Sequence, residues 1–176
     1  MTAPRLAAAL AGMLTALLLQ AALISPLTFP VPVSLPALLV IVVGIYAGPG
    51  IGMSFGFATG LLADLGSGLP AGSQALCWLA AGLVAGTLGG LATPRGTRTV
   101  AGLAAVLAAL SSVISGVLLA VLGSPGASLA AAAAGVLPVG LIDAPLGLLL
   151  APLVRALLRG QGIRAPRPVG TLVGDR

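Results

Sequence analysis

Residues 6–63 read LAAALAGMLTALLLQAALISPLTFPVPVSLPALLVIVVGIYAGPGIGMSFGFATGLLA, a stretch without one Asp, Glu, Lys, Arg or His between Arg5 and Asp64. A second charge-free stretch runs from Thr99 to Ile142, between Arg98 and Asp143. A soluble domain carries about a quarter of its residues as charged groups. Here the share is 6%, with a mean hydropathy of +1.20. A surface of that composition is satisfied in hydrocarbon and not in water. The chain therefore reads as an integral membrane protein, and the remaining features are weighed inside a bilayer.

Spanning strands would alternate polar and apolar positions. These stretches are apolar on every side, so the expected class is an all-α membrane protein. A bilayer core takes roughly 20 residues per helix, which leaves room for a six-helix membrane domain at 1–158 and an Arg/Pro-rich tail at 159–176. The tail is expected to be disordered in isolation. Breakers mark the six segments at about 6–25, 34–47, 51–66, 73–92, 99–122 and 127–158. The links hold Ser25-Pro26 with Pro30, Pro32 and Pro36, then Gly48-Pro49-Gly50, Gly66-Ser67-Gly68-Leu69-Pro70, Thr93-Pro94-Arg95-Gly96-Thr97-Arg98 and Gly123-Ser124-Pro125-Gly126. The first apolar stretch is longer than a signal-peptide core of about 7–15 residues, so it reads as an uncleaved first span.

All eight basic residues are arginine. With six spans and a cytoplasmic N-terminus, every arginine falls on the inner side, and the links at 26–33, 66–72 and 123–126 carry none. An odd number of spans would export the arginine-rich tail, so the positive-inside rule favours an even number and places both termini in the cytoplasm. Segment two is short for a crossing. Segments two and three could instead form a re-entrant hairpin, which keeps the same parity. Six spans are preferred on the expectation that helix two begins near Val31 or Pro32. The arginines flank apolar spans and make no basic face, which argues against nucleic acid.

Gly52, Gly56 and Gly60, then Asp64, recur at intervals of four and so share one helical stripe. Gly82, Gly86 and Gly90 repeat the pattern in segment four, and Ala8, Gly12 and Ala16 repeat it more loosely in segment one. Small residues at this period let helices approach closely in lipid. The stripe is expected to serve helix packing, with a docking face for another membrane protein as the alternative. Asp64 reads as a solvated interfacial carboxylate or local cap, or else as a partner contact or a hydrogen bond to an adjacent helix. Asp143 lies mid-segment, where a carboxylate costs roughly 2.5–3.5 kcal/mol on insertion scales. The expected remedy is a bond to a neighbouring helix through Ser111, Ser112 or Ser115; partner contact and transport chemistry are the other readings. Pro138, Pro145 and Pro152, seven apart, predict a kinked sixth helix. The lone Cys77 reads as a buried thiol. With no histidine, no nucleotide loop and no ligand cluster in the sequence, neither a cofactor nor a metal is expected, and an enzyme is not expected.

The stretch from 35 to 90 resembles the rod shape-determining protein MreD family. The resemblance is carried by Leu19-Gln20, Pro36, Gly48-Pro49-Gly50, the glycine-rich run Gly56 to Leu65 with its Leu62-Ala63-Asp64-Leu65 ending, and Gly68-Leu69-Pro70-Ala71-Gly72. Asp143 occupies a place where that family tends to carry a polar residue, often Asn. Ala37 departs from the Asp or Asn that commonly follows the proline of helix two. The resemblance implies a bacterial inner-membrane scaffold of the cell-elongation machinery, which serves rod shape and peptidoglycan synthesis. It would bind an MreC-like membrane protein and connect MreB filaments, where present, to peptidoglycan synthases. It also implies a fold like the substrate-binding subunits of energy-coupling-factor vitamin transporters. That transporter class is the alternative function. Its pockets use aromatic and polar groups, and this chain has only Phe29, Tyr46, Phe55, Phe57 and Trp78 as aromatics.

Overall fold

The computed structural model describes residues 3–24, 34–67, 72–91, 96–123, 129–134 and 136–160. The described residues are helical apart from caps and turns, and none is in a strand. The helices are α1 (Ala3–Leu19), α2 (Leu35–Ala47), α3 (Pro49–Ser67), α4 (Ser73–Leu91), α5 (Thr97–Val121), α6 (Leu129–Ala134) and α7 (Val136–Gly160). A π-helical turn, Gln20–Ile24, continues α1. Ser73–Leu91, Thr97–Val121 and Leu137–Gly160 are long and apolar enough to cross a membrane.

Local chemistry sets the boundaries. Ser34 is extended, and its hydroxyl accepts from the Ala37 N–H at 3.4 Å, so α2 starts at Leu35 with Pro36 in its first turn. The expected start near Val31 is therefore corrected. Thirteen residues at 1.5 Å rise make α2 only about 20 Å long. It ends at Gly48, whose φ of 91° needs a glycine. Pro49 opens α3 immediately, because a proline at a helix start loses no intrahelical bond.

The expected sixth segment is helical over Leu129–Ala134 and over Val136–Gly160. Pro145 and Pro152 do lie inside α7. The helix continues through Arg159 and Gly160, two residues past the expected domain boundary; the tail at 161–176 lies outside the described residues.

α2 is the central helix. It packs on α1, α3, α4, α5 and α7, and its residues from Leu35 to Ala37 and Val40 to Ile45 are buried, as is Leu38. α3 runs antiparallel to α2 and α4, which are parallel to each other, and this defines two ends. At one, Ala37, Ala63, Cys77, Trp78 and Leu118 meet. At the other, Gly86 lies against Pro49 and Gly89 against Ile45. That second end also holds the start of α5, with Arg98, and the end of α7, with Arg155 and Arg159.

Candidate functional site

The sequence points to a glycine track ending in Asp64, and the structure gives that track a definite geometry. α3 and α4 lie backbone to backbone. A methyl added at Gly56 would overlap the Trp78 carbonyl, and one at Gly52 would overlap the Gly82 carbonyl while standing 2.8 Å from Gly44 Cα. At Gly60 it would stand 2.5 Å from Ala75 Cα and 2.6 Å from the Gln74 carbonyl oxygen. Gly44 closes the knot from α2, where an added methyl would lie 2.7 Å from the Gly82 oxygen. The α4 series departs from the expected Gly82, Gly86 and Gly90: Gly82 and Gly86 meet backbone, Gly90 meets nothing within 4 Å, and Gly89 takes its place against Ile45. Gly12 in α1 also meets nothing within 4 Å, although Ala16 is buried.

One turn beyond Gly60, the close approach delivers Asp64 to the start of α4. Gly72, with φ 92°, precedes that helix and has no side chain to cap it. Asp64 supplies the cap from the neighbouring helix. Its Oδ2 accepts from Gly72 N at 2.9 Å and Ala75 N at 3.1 Å. Its Oδ1 accepts from Gln74 N at 3.0 Å and from the Ser73 hydroxyl at 3.3 Å. A helix start presents unpaired N–H donors and a partial positive charge, both of which favour a carboxylate. The residue is 5% exposed, so the reading of a solvated carboxylate is corrected to a buried, hydrogen-bonded one.

Gln20 repeats the device. Its side-chain oxygen accepts from Leu35 N at 2.8 Å, capping α2 from the end of α1. The sequence reading noted Leu19-Gln20 only within the family resemblance. A lone amide closing an apolar helix before a proline-spaced link was the available signal for its capping role.

Asp143 is 1% exposed, and neither of its oxygens has a hydrogen-bond partner. The buried Ser111 hydroxyl lacks one too. The expected bond to Ser111, Ser112 or Ser115 is therefore absent, and the register explains why. Gly147 meets Ala101, with closest approach 3.4 Å, and Gly140 meets Ala109 at 4.0 Å. Those two contacts run antiparallel, so Asp143 falls between them, at the level of the α5 stretch from Ala101 to Ala109 that precedes the serines. Asp64 and Asp143 thus belong to different helix pairs and form no common site. Cys77 is buried and unpaired. Among the described residues no group of three His, Cys, Asp or Glu side chains converges as a metal site would require.

No protein-family model, curated protein or solved structure matches the chain.

Proposed function

We propose that this protein is a non-enzymatic membrane scaffold of the bacterial cell-elongation machinery, working by binding an MreC-like membrane protein and peptidoglycan synthases. The observation that carries the reading is the glycine-rich helix ending in Asp64, the most specific element of the resemblance to the MreD family. In this chain that element locks α3 onto α4 and sets the shape of the end where α2 and α4 begin. A rigidly shaped helix end suits a protein whose output is binding. Of the buried polar side chains Thr59, Asp64, Ser73, Ser111 and Asp143, Asp64 and Ser73 bond to each other at the start of α4, Thr59 is satisfied by its own helix, donating to Phe55 O at 2.8 Å, and Ser111 and Asp143 lie on other helices. That supports a scaffold over a solute-binding pocket.

The topology that goes with this reading has six crossings, both termini in the cytoplasm and the arginine end inside, in a fold resembling the energy-coupling-factor substrate-binding subunits. The shortness of α2 is accommodated by its position: a helix walled by other helices need not match the hydrocarbon thickness itself.

Depletion in the source cell, with affinity purification of the full chain from solubilised membranes, tests the function. Disturbed sidewall growth and recovery of an MreC-like partner are the expected results. Retention of a vitamin by the purified protein, with normal cell shape after depletion, would establish the transporter alternative and sink the scaffold.

A further inference from the structure

α7 turns opposite faces to the protein and to its surroundings. Val139, Asp143, Gly147 and Val154 are buried on one side. Leu141, Pro145, Leu148, Pro152, Arg155 and Arg159 are all exposed. Their spacing alternates between four and three residues, which holds them in one line along the helix, directly behind Asp143.

Two of these residues alter the backbone beneath that line. Pro145 and Pro152 lie inside α7 and have no N–H, so the carbonyls of Leu141 and Leu148 lose the donor four residues on. A helical carbonyl points along the axis toward that position, so each lies between two exposed residues of the stripe. Leu141 is 75% exposed and Leu148 46%. Both belong to the part of α7 that is long and apolar enough to cross a membrane. Hydrocarbon has no donor to give them, and unpaired backbone is not left facing lipid. The stripe thus presents two acceptors about 10 Å apart, and two turns further on it presents two cations. Among the described residues no carboxylate neutralises these arginines: Asp64 caps α4 at the other end, and Asp143 is buried on the opposite side of α7.

These groups select the occupant. Lipid chains meet the leucines and leave the carbonyls unpaired. A second copy using the same face would set arginine against arginine, because both copies share one orientation in the bilayer. A helix of another protein meets every group if it carries hydrogen-bond donors seven residues apart and an acid beyond them.

We propose that the stripe from Leu141 to Arg159 docks a transmembrane helix of a different protein, with Ser, Thr, Asn or Gln side chains seven residues apart and an Asp or Glu toward the arginine end. The proposal rests on the membrane-scaffold reading and names its contact face.

A photoreactive residue in place of Leu148, on the stripe, or of Leu153, exposed on its flank, tests this. The full-length protein is illuminated in the membranes of the source cell, and adducts are mapped by peptide mass spectrometry. Position 148 should give several-fold more protein adduct than 153, on a spanning segment with donors seven apart and an acid toward the arginines. Arg155→Gln/Arg159→Gln should lose most of that adduct. Pro145→Ala/Pro152→Ala, which restores both intrahelical donors, should lower it several-fold, while Arg98→Gln, an exposed arginine on α5, should leave it unchanged. Adducts to lipid alone, to a second copy of this chain or to a segment without those groups would overturn the proposal, as would equal yields at 148 and 153. Should the variants fail to fold, the mapped segment's composition in the otherwise wild-type chain decides. A fitting segment from a protein with no part in wall synthesis would keep the docking face and sink the scaffold role; disturbed cell shape on depletion, with no adduct at 148, would do the reverse.

Discussion

Asp64 and Asp143 are both buried carboxylates in an apolar chain, yet their surroundings are opposite. Asp64 lies where α3 and α4 approach within backbone contact, and both its oxygens accept hydrogen bonds from the start of α4. Asp143 lies between α5 and α7, level with alanines, and neither oxygen finds a donor. The difference is one of position along a helix. A carboxylate at a helix end meets unpaired N–H groups; one beside the middle of a helix meets a backbone whose donors are already used. The α3–α4 pair is thus built around its acid, and the α5–α7 pair merely contains one.

The contrast is broken most directly by exchanging each acid for an apolar residue. Asp64→Leu leaves three backbone N–H groups at the start of α4 without their acceptor. Each such group costs about 1–3 kcal/mol, so folded protein recovered in mild detergent should fall severely. A midpoint within a few degrees of wild type would show that α4 does not depend on this cap.

Next in size is the glycine track. Gly56→Leu drives a side chain into the Trp78 carbonyl, where overpacking costs about 1–3 kcal/mol and the unyielding backbone favours the upper part of that range. Gly12→Leu, at a position with open space, is the paired control and should leave the unfolding midpoint near wild type. Similar losses in both would mean that the track is not the closest approach in the molecule.

Gln20→Leu removes one acceptor, at Leu35 N, while Ser34 still caps the same helix. A loss of about 1 kcal/mol is expected, read as a small drop in midpoint. A loss equal to that of Asp64→Leu would place the weight of the fold on α1 and not on α3–α4.

The smallest effect sharpens the comparison most. Asp143→Val replaces a carboxyl that has no partner with an apolar group of similar size. Such exchanges are neutral or stabilising, so the midpoint should hold or rise. A marked fall would show that Asp143 has a partner in the membrane, and Asp143→Asn would then separate a need for charge from a need for hydrogen bonding.

Much of this molecule follows from the order of its residues alone. Charge-free stretches require helices that shelter their own backbone in hydrocarbon, because no water is there to pair it. Ser34 and Gly72 stand before the starts of α2 and α4, and Gly48-Pro49 and Gly123 follow the ends of α2 and α5. They bound those helices through capping, φ preferences and missing donors, which are local properties. The four-residue spacing of Gly52, Gly56 and Gly60 is likewise local, and it puts them on one face. What lies against that face is not local. The choice of α4, the replacement of Gly90 by Gly89, and the delivery of Asp64 to a helix start eight residues downstream all depend on how two helices cross. The same holds for Asp143, whose distance from the serines is set by the register of α5 on α7. Spacing along one helix is fixed by its pitch, whereas the level at which two helices meet depends on every side chain between them, and only the packed structure decides it.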